Sequence, residues 1–433
     1  MVGEACFGYN LRFLDTQFVD DDLDNFLILA IMNLALVLGS FVTVRADAPV
    51  DEATDGDAEA VVETTAPAGE NDALAIQSKS VLLMELESGT VLYEKNADEM
   101  LRPASVTKVM TLLLIFEALE RGDIALDDTV VVTEHAASMG GSQCFFEAGE
   151  EQTVQDMIKC IEVASGNDAA VAMAEHLAGS EAAFVQKMNE RAKELGMEHT
   201  HFDNACGLEV ETHLTSARDI AIMSRQLLLY HPDILTYSTI WMDSITHKTR
   251  RGESQFDLAN TNKFLNLYTG ANGLKTGYTS QAKYCMSATA TRDGVTLIAV
   301  VMGAETKEIR NSEAMKLLDY GFARCRPYVD TEVVPEDLQI PVQKGTCKSV
   351  TVKPVEQHTI TLVATNPDQI EKQVIAYENL KAPIQEGGAV GVVQYSCNGT
   401  CISEVILYAE RSVPKLDLKY SLSEIAGRIF MAK

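Results

Sequence analysis

Positive charge is what this chain has least of. Its 433 residues carry 35 lysines and arginines against 63 aspartates and glutamates, a formal net charge of −28. A nucleic-acid binder needs a basic face, so that class is excluded. A broad electrostatic hold on anionic lipid is excluded for the same reason, although a short amphipathic anchor stays open. Paired cysteines are also missing. Nine are scattered without a single C-x-x-C spacing, which removes a zinc knuckle and a thioredoxin-like redox pair. No metal site and no cofactor is expected. Histidine gives no lead either: His135, His176, His199 and His213 form no pattern with any motif and read as surface or core residues. There is no internal repeat. What is present is an ordinary globular composition, 46% hydrophobic and 23% charged, on a chain long enough for two domains.

The N-terminus carries an address. Phe26 to Val44 is an apolar run that ends at Arg45 and is followed by Ala46-Asp47-Ala48, a small-x-small cleavage pattern. Residues 1–48 are therefore read as an export leader; a membrane anchor is the competing reading, because the run approaches spanning length. The first 25 residues are net acidic, the reverse of an export leader's start, and a start codon assigned too early, with Met32 the true one, accounts for this. In both cases the folded part lies outside the cytoplasm, at the outer face of the cell membrane or in the wall. Residues 49–73 are acidic, with no lysine or arginine, and cannot bury enough apolar surface to offset chain entropy, so they read as a disordered linker.

Structured patterns begin after residue 73. Ser80–Leu86 and Val91–Lys95 are strand-like around a turn. Ser105–Arg121 reads as a helix that is apolar on most sides, hence buried at the heart of a domain, with Gly122 as its C-terminal stop. Helices follow at Thr153–Ala164, Asn167–Leu177, Glu181–Leu195 and Ser216–Tyr230. Tyr284–Thr291 and Val295–Met302, joined by Arg292-Asp293-Gly294, are antiparallel neighbours, and Asn311–Cys325 is one more helix. Strands at both ends with helices between them suggest a mixed sheet whose first and last segments meet. After Pro327 short alternating runs (Val333–Val342, Ser349–Val355, His358–Ala364, Gln373–Tyr377, Ala389–Tyr395, Ile402–Tyr408) indicate an all-β module, residues 328–412. Within it Cys397 and Cys401 flank an Asn-Gly turn, and a disulfide between them is left open. Other cysteines sit in apolar stretches, as small core residues do. The tail, residues 413–433, reads either as an amphipathic membrane-surface helix or as a helix packed on its own protein.

Three small clusters carry chemistry. In Ser105-Val106-Thr107-Lys108 the two outer residues share a helix face, so a lysine amine can reach the serine hydroxyl. Serine is a poor nucleophile until a neighbour takes its proton. A lysine can do so only when neutral, which asks for roughly 4–5 kcal/mol of bias from burial or nearby positive charge. Ser165-Gly166-Asn167 places two short polar side chains on a tight loop: Ser165 suits proton relay to a leaving amine, Asn167 an amide contact to a peptide backbone. A plain helix N-cap is the bland alternative. In Lys275-Thr276-Gly277 the lysine and threonine can meet a carboxylate, and the glycine leaves a strand edge open to substrate. Each cluster alone is weak evidence. Together, once each and in this order, they are not.

With this triplet the chain resembles the penicillin-recognising serine enzymes, and within them the low-molecular-mass D-alanyl-D-alanine carboxypeptidases of the S11 peptidase family. The likeness also rests on Arg102-Pro103-Ala104-Ser105, on Ser165-Gly166-Asn167-Asp168-Ala169-Ala170, on Gly273-Leu274-Lys275-Thr276-Gly277-Tyr278-Thr279 and on the Asp-Gly hairpin ending in Gly303. Cys144 and Cys206 depart from the family pattern without touching the three motifs. The resemblance implies an α/β catalytic domain over residues 74–327, a serine β-lactamase/transpeptidase-like antiparallel sheet with a helical cluster, followed by a small all-β domain. It implies that Ser105 attacks the carbonyl between the last two D-alanines of a peptidoglycan pentapeptide, with Lys108 and Ser165 catalytic. Asn167, Lys275, Thr276, Gly277 and Tyr278 would bind substrate, the amides of Ser105 and Tyr278 forming the oxyanion hole. β-Lactam antibiotics would acylate the same serine. Arg310 falls where the family places an arginine near the terminal carboxylate; a surface ion pair is the alternative. A D-D-endopeptidase or transpeptidase would share this chemistry. A class A β-lactamase would need an E-x-x-L-N loop, to which Glu211-Thr212-His213-Leu214-Thr215 comes close but ends in threonine. A non-enzymatic wall-binding protein could dispense with Ser105 or Lys108.

Overall fold

The computed structural model describes residues 74–249, 252–363, 367–397 and 399–417. The expected leader and acidic linker, residues 1–73, and the tail from residue 418 onward lie outside the described residues. Strands β1 (Ser80–Glu85) and β2 (Val91–Lys95) form the opening hairpin. One turn of 3-10 helix, Ala104–Thr107, runs into α1 (Lys108–Glu120). Short strands β3 (Thr129–Val131) and β4 (Glu151–Thr153) flank α2 (Glu134–Ala137), and α3 (Val154–Glu162), α4 (Asn167–Ala178), α5 (Glu181–Glu194), α6 (Ala217–Tyr230) and α7 (Ile234–Ser238) follow. Hairpin β5 (Met242–Thr249) and β6 (Gly252–Ala259) precedes the main-sheet strands β7 (Ala271–Thr279), β8 (Lys283–Arg292) and β9 (Val295–Ala304), and then α8 (Lys307–Phe322).

The main sheet has the order β2-β1-β9-β8-β7, all neighbours antiparallel. The first and last segments do meet: Ser80 faces Met302 and Glu85 faces Leu297. Alternation decides which residue serves which layer. Leu82, Met84, Ile298, Val300 and Met302 join the helical core, while Val81, Leu83, Leu297, Ala299 and Val301 join a second core with Leu317 and Leu318 of α8. A sheet covered on both faces explains why β1 and β9 read as nearly unbroken apolar runs. At the centre of the helical layer α1 packs against α6, α4 and α3. Val109, Met110, Leu112, Leu113 and Ile115 are all wholly buried, each contributing about 1.5–3 kcal/mol of transfer free energy. A scaffold this rigid holds the end of α1 in place.

Two expectations are corrected. The last helix of the first domain begins four residues earlier than the apolar pattern suggests and stops at Phe322. Thr306 is its N-cap, its hydroxyl accepting from the Ile309 amide at 3.2 Å. Cys325 belongs instead to β10 (Cys325–Asp330), which pairs with β13 (His358–Val363). The open question of a Cys397–Cys401 bridge is also settled. In the hairpin of β15 (Ala389–Cys397) and β16 (Thr400–Tyr408), Cys397 faces Thr400 and Cys401 faces Ser396. Adjacent residues project to opposite faces, so the two sulfurs diverge, and Cys397 is a free thiol. The β module is completed by β11 (Gln339–Pro341), β12 (Ser349–Thr351) and β14 (Ile370–Ala376). Its own core is built on Val333, Val350, Val390, Val393, Tyr395 and Leu407. Cys144, Cys160, Cys206, Cys285 and Cys325 are buried thiols, as small core residues should be.

Candidate active site

Ser105 does not open an α-helix, as its spacing to Lys108 suggests; it lies in the 3-10 turn, and α1 starts at Lys108 itself. Ala104 takes a left-handed backbone (φ 49°), which redirects the chain from Pro103 into that turn. The tighter 3-10 geometry eclipses side chains three apart and sets Lys108 Nζ 3.1 Å from Ser105 Oγ. The Lys108 side chain is wholly buried. Its amine also donates to Asn167 Oδ1 at 2.6 Å and to the Cys206 carbonyl at 2.8 Å. Burial is the main cause that brings its pKa down to about 7; the thiol of Cys206 opposes this and the Lys275 charge assists it. The bias that the chemistry asks of this lysine is therefore built into the fold. Gly207 makes the approach possible: at φ +88° a Cβ there would lie 1.9 Å from the Ala104 carbonyl oxygen.

The second cluster is not a side-chain cap. Gly166 occupies the N-cap position of α4 with no capping side chain. Ser165 is itself left-handed (φ 61°), and its Oγ accepts from Lys275 Nζ at 2.9 Å. Asn167 has an internal task besides the substrate contact expected of it. Its amide spans the site internally, Oδ1 accepting from Lys108 and Nδ2 donating to the Gly140 carbonyl at 2.7 Å.

From β7, Lys275 and Thr276 enter the same cluster, both buried. Lys275 is held down to about 8, first by burial and then by the Arg310 charge, with Glu162 pulling the other way. Gly277 lacks a side chain for a reason besides substrate access: a Cβ would sit 2.8 Å from the Pro103 carbonyl and 3.0 Å from the Ser105 amide nitrogen. The strand thus runs directly against the turn that carries Ser105. Tyr278 follows, more than half exposed, its ring 4.4 Å from that of Tyr284. Arg310 is no surface ion pair: it is buried, donates to Asn311 Oδ1 at 2.9 Å and lies 6.0 Å from the Tyr284 ring. Nine sequence-selected residues therefore gather around one locus. Glu211, the glutamate a β-lactamase reading would need, is solvent-exposed.

Three buried residues at this locus were not selected from the sequence. Asp168 accepts from the backbone amides of Cys144 (2.9 Å) and Phe145 (2.8 Å), pinning the loop whose Ser142 carbonyl takes the Asn167 amide. Its place beside Asn167 was the only signal. His213 Nδ1 accepts from the Asp203 amide at 3.0 Å, so its Nε2 carries the proton and donates to Thr107 Oγ1 at 2.8 Å. Burial lowers its pKa to about 4, keeping it neutral inside the S-x-x-K turn. Glu162 ends α3, just ahead of Ser165. No spacing rule links the last two to the motifs; only folding brings them there.

Comparison with known proteins agrees with this geometry. Residues 64–306 match the peptidase S11 family, described as D-alanyl-D-alanine carboxypeptidase. Residues 326–415 match the penicillin-binding protein 5 C-terminal domain. The chain is 42% identical over 343 residues to the D-alanyl-D-alanine carboxypeptidase DacF of Bacillus subtilis (strain 168), covering 79% of this chain and 87% of that one. Among solved structures it is similar to penicillin binding protein 5 from Haemophilus influenzae (TM-score 0.62, 31% identity, 78% of this chain and 98% of that one). It is also similar to the peptidoglycan synthesis regulatory factor PBP3 from Streptococcus pneumoniae (TM-score 0.65, 26% identity, 78% and 99%).

Proposed function

This chain belongs to the S11 family of D-alanyl-D-alanine carboxypeptidases, serine peptidases with a penicillin-binding protein 5-type C-terminal domain, and we propose how its own residues divide the work. The observation that carries the proposal is a wholly buried Lys108 amine 3.1 Å from the Ser105 hydroxyl. Neutral Lys108 takes the Ser105 proton as Oγ bonds to the carbonyl carbon between the last two D-alanines of a peptidoglycan stem peptide. The developing oxyanion is met by the amides of Ser105 and Tyr278. Lys275 and Thr276 hold the substrate's terminal carboxylate, with Arg310 adding positive charge behind them. The proton taken up by Lys108 passes through the hydroxyl of Ser165, itself bonded to Lys275, to the departing amine as the C–N bond breaks and D-alanine leaves, so that Lys108 is neutral again. Lys108 then takes a proton from water as its oxygen bonds to the acyl carbon, and returns that proton to Ser105 Oγ as the ester C–O bond breaks. Asn167 fixes the Lys108 amine by the contact already described.

β-Lactams acylate Ser105 by the same first step. The reaction takes place outside the cytoplasm, which the small-x-small site before residue 49 supports. Peripheral membrane association through residues 413–433 rests on their amphipathic pattern; no helix among the described residues is long and apolar enough to cross a membrane. The test is incubation with a fluorescent penicillin, mass mapping of the labelled peptide, and assay of released D-alanine. Label confined to the Ser105 peptide, lost in Ser105→Ala together with D-alanine release, is expected. Label elsewhere, or D-alanine release surviving in Ser105→Ala, refutes the assignment.

A further inference from the structure

Glu162 is a buried acid that the mechanism leaves unused. It is 2% exposed, and among the described residues neither carboxylate oxygen has a hydrogen-bond partner. It also closes α3, where the helix dipole opposes negative charge. An acid that is desolvated, unbonded and at the wrong helix end is costly to keep. Its place accounts for the cost. The next residue, Val163, accepts from the Thr261 amide at 3.0 Å, and the Gly166 amide donates to Cys160 at 2.9 Å; these bonds fold the helix end beneath the Ser165 loop. The charge acting on Glu162 is that of Lys275. Lys275 donates to Ser165 Oγ at 2.9 Å, three residues beyond Glu162, and it feels the charges of Glu162 on α3 and Arg310 on α8, while its own charge reaches Lys108 on α1.

Two lysines and an arginine thus crowd one buried site; Asp168 is bonded to the amides of Cys144 and Phe145, and Glu162 is the carboxylate whose charge acts on Lys275. We propose that Glu162 is a positioning residue, the buried counter-charge that keeps Lys275 cationic, so that Lys108 is the lysine that gives up its proton. Burial that pushes the Glu162 carboxyl up to about 7 while it depresses Lys275 is what a pair competing for one proton shows. This rests on the reading of Lys275 as the residue that holds the substrate carboxylate.

The experiment uses the full chain and two donors, an N-acylated peptide ending in D-Ala-D-Ala and its C-terminal amide. The ratio of their kcat/KM values, acid over amide, is measured at pH 6 and pH 8.5 in wild type, Glu162→Gln, Glu162→Asp, Glu162→Ala and Lys275→Ala. Glu162→Gln is expected to lower the ratio about tenfold at the higher pH through KM, the effect of one unit less proton affinity at Lys275. The ratio returns towards wild type at pH 6, and the amide donor is turned over throughout. Glu162→Asp keeps the charge and restores the ratio; Glu162→Ala follows Glu162→Gln. An unchanged ratio in both neutral variants, with Lys275→Ala losing it, overturns the role of Glu162 and leaves that of Lys275 standing. Equal loss on both donors at both pH values, unrepaired by Glu162→Asp, means a structural role and also overturns it. If Lys275→Ala keeps the wild-type ratio, both readings fall.

Discussion

Ser105 acylation should follow a bell-shaped pH profile, and the position of the bell follows from burial. Lys108 must be neutral to accept the serine proton, and burial sets its pKa at about 7. Lys275 must be charged to hold a carboxylate, and its pKa is about 8. Below the first value Lys108 gains a proton and the rate falls about tenfold per pH unit; above the second Lys275 loses one and the rate falls likewise. With both conditions applied, roughly 0.6 of the molecules are competent at pH 7.5 and about 0.03 at pH 5.5 or pH 9.5. An unperturbed Lys108 near 10.4 would leave about one molecule in 2,500 competent at pH 7, and the rate would rise to about pH 8 and then level off instead of falling. The lowering of Lys108 by burial corresponds to about 5 kcal/mol. Second-order rates of fluorescent-penicillin labelling, taken from pH 5 to pH 10, decide the matter. Lys108→Arg should label far more slowly with no rise in this range, because a guanidinium cannot be deprotonated there. A flat profile, or one that does not fall above about pH 8 in the wild type, refutes the reasoning.

Gly277→Ala should slow acylation by about a hundredfold, because the new Cβ displaces the turn carrying Ser105 by a fraction of an ångström; labelling at wild-type rate shows that the turn can yield. Asp168→Asn should destabilise the protein by about 2 kcal/mol, since charge-assisted bonds to the amides of Cys144 and Phe145 are weakened, and urea unfolding with an unchanged midpoint counts against that anchor.

The motifs were legible because each is a short run with a local geometric rule, and the central helix was legible because a segment apolar on nearly all sides has nowhere to lie but the core. The hairpins followed from turn chemistry, and the meeting of first and last strands from the requirement that both cover one sheet. The errors fell where local signals compete. Thr306 began α8 before its apolar face appeared, and Cys325 looked like the end of a helix because a strand needs a partner, β13, some thirty residues away.

Chain order and residue type alone determined which amine, hydroxyl and glycine the chemistry would use. Only the tertiary structure decided their protonation and their support. Desolvation depends on everything packed around a group, so the low pKa of Lys108 cannot be read from four residues of sequence. Asn167 turning inward, Arg310 buried near Tyr284, His213 bonded to Thr107 and Glu162 buried at the end of α3 are likewise products of long-range packing, which spacing along the chain does not encode.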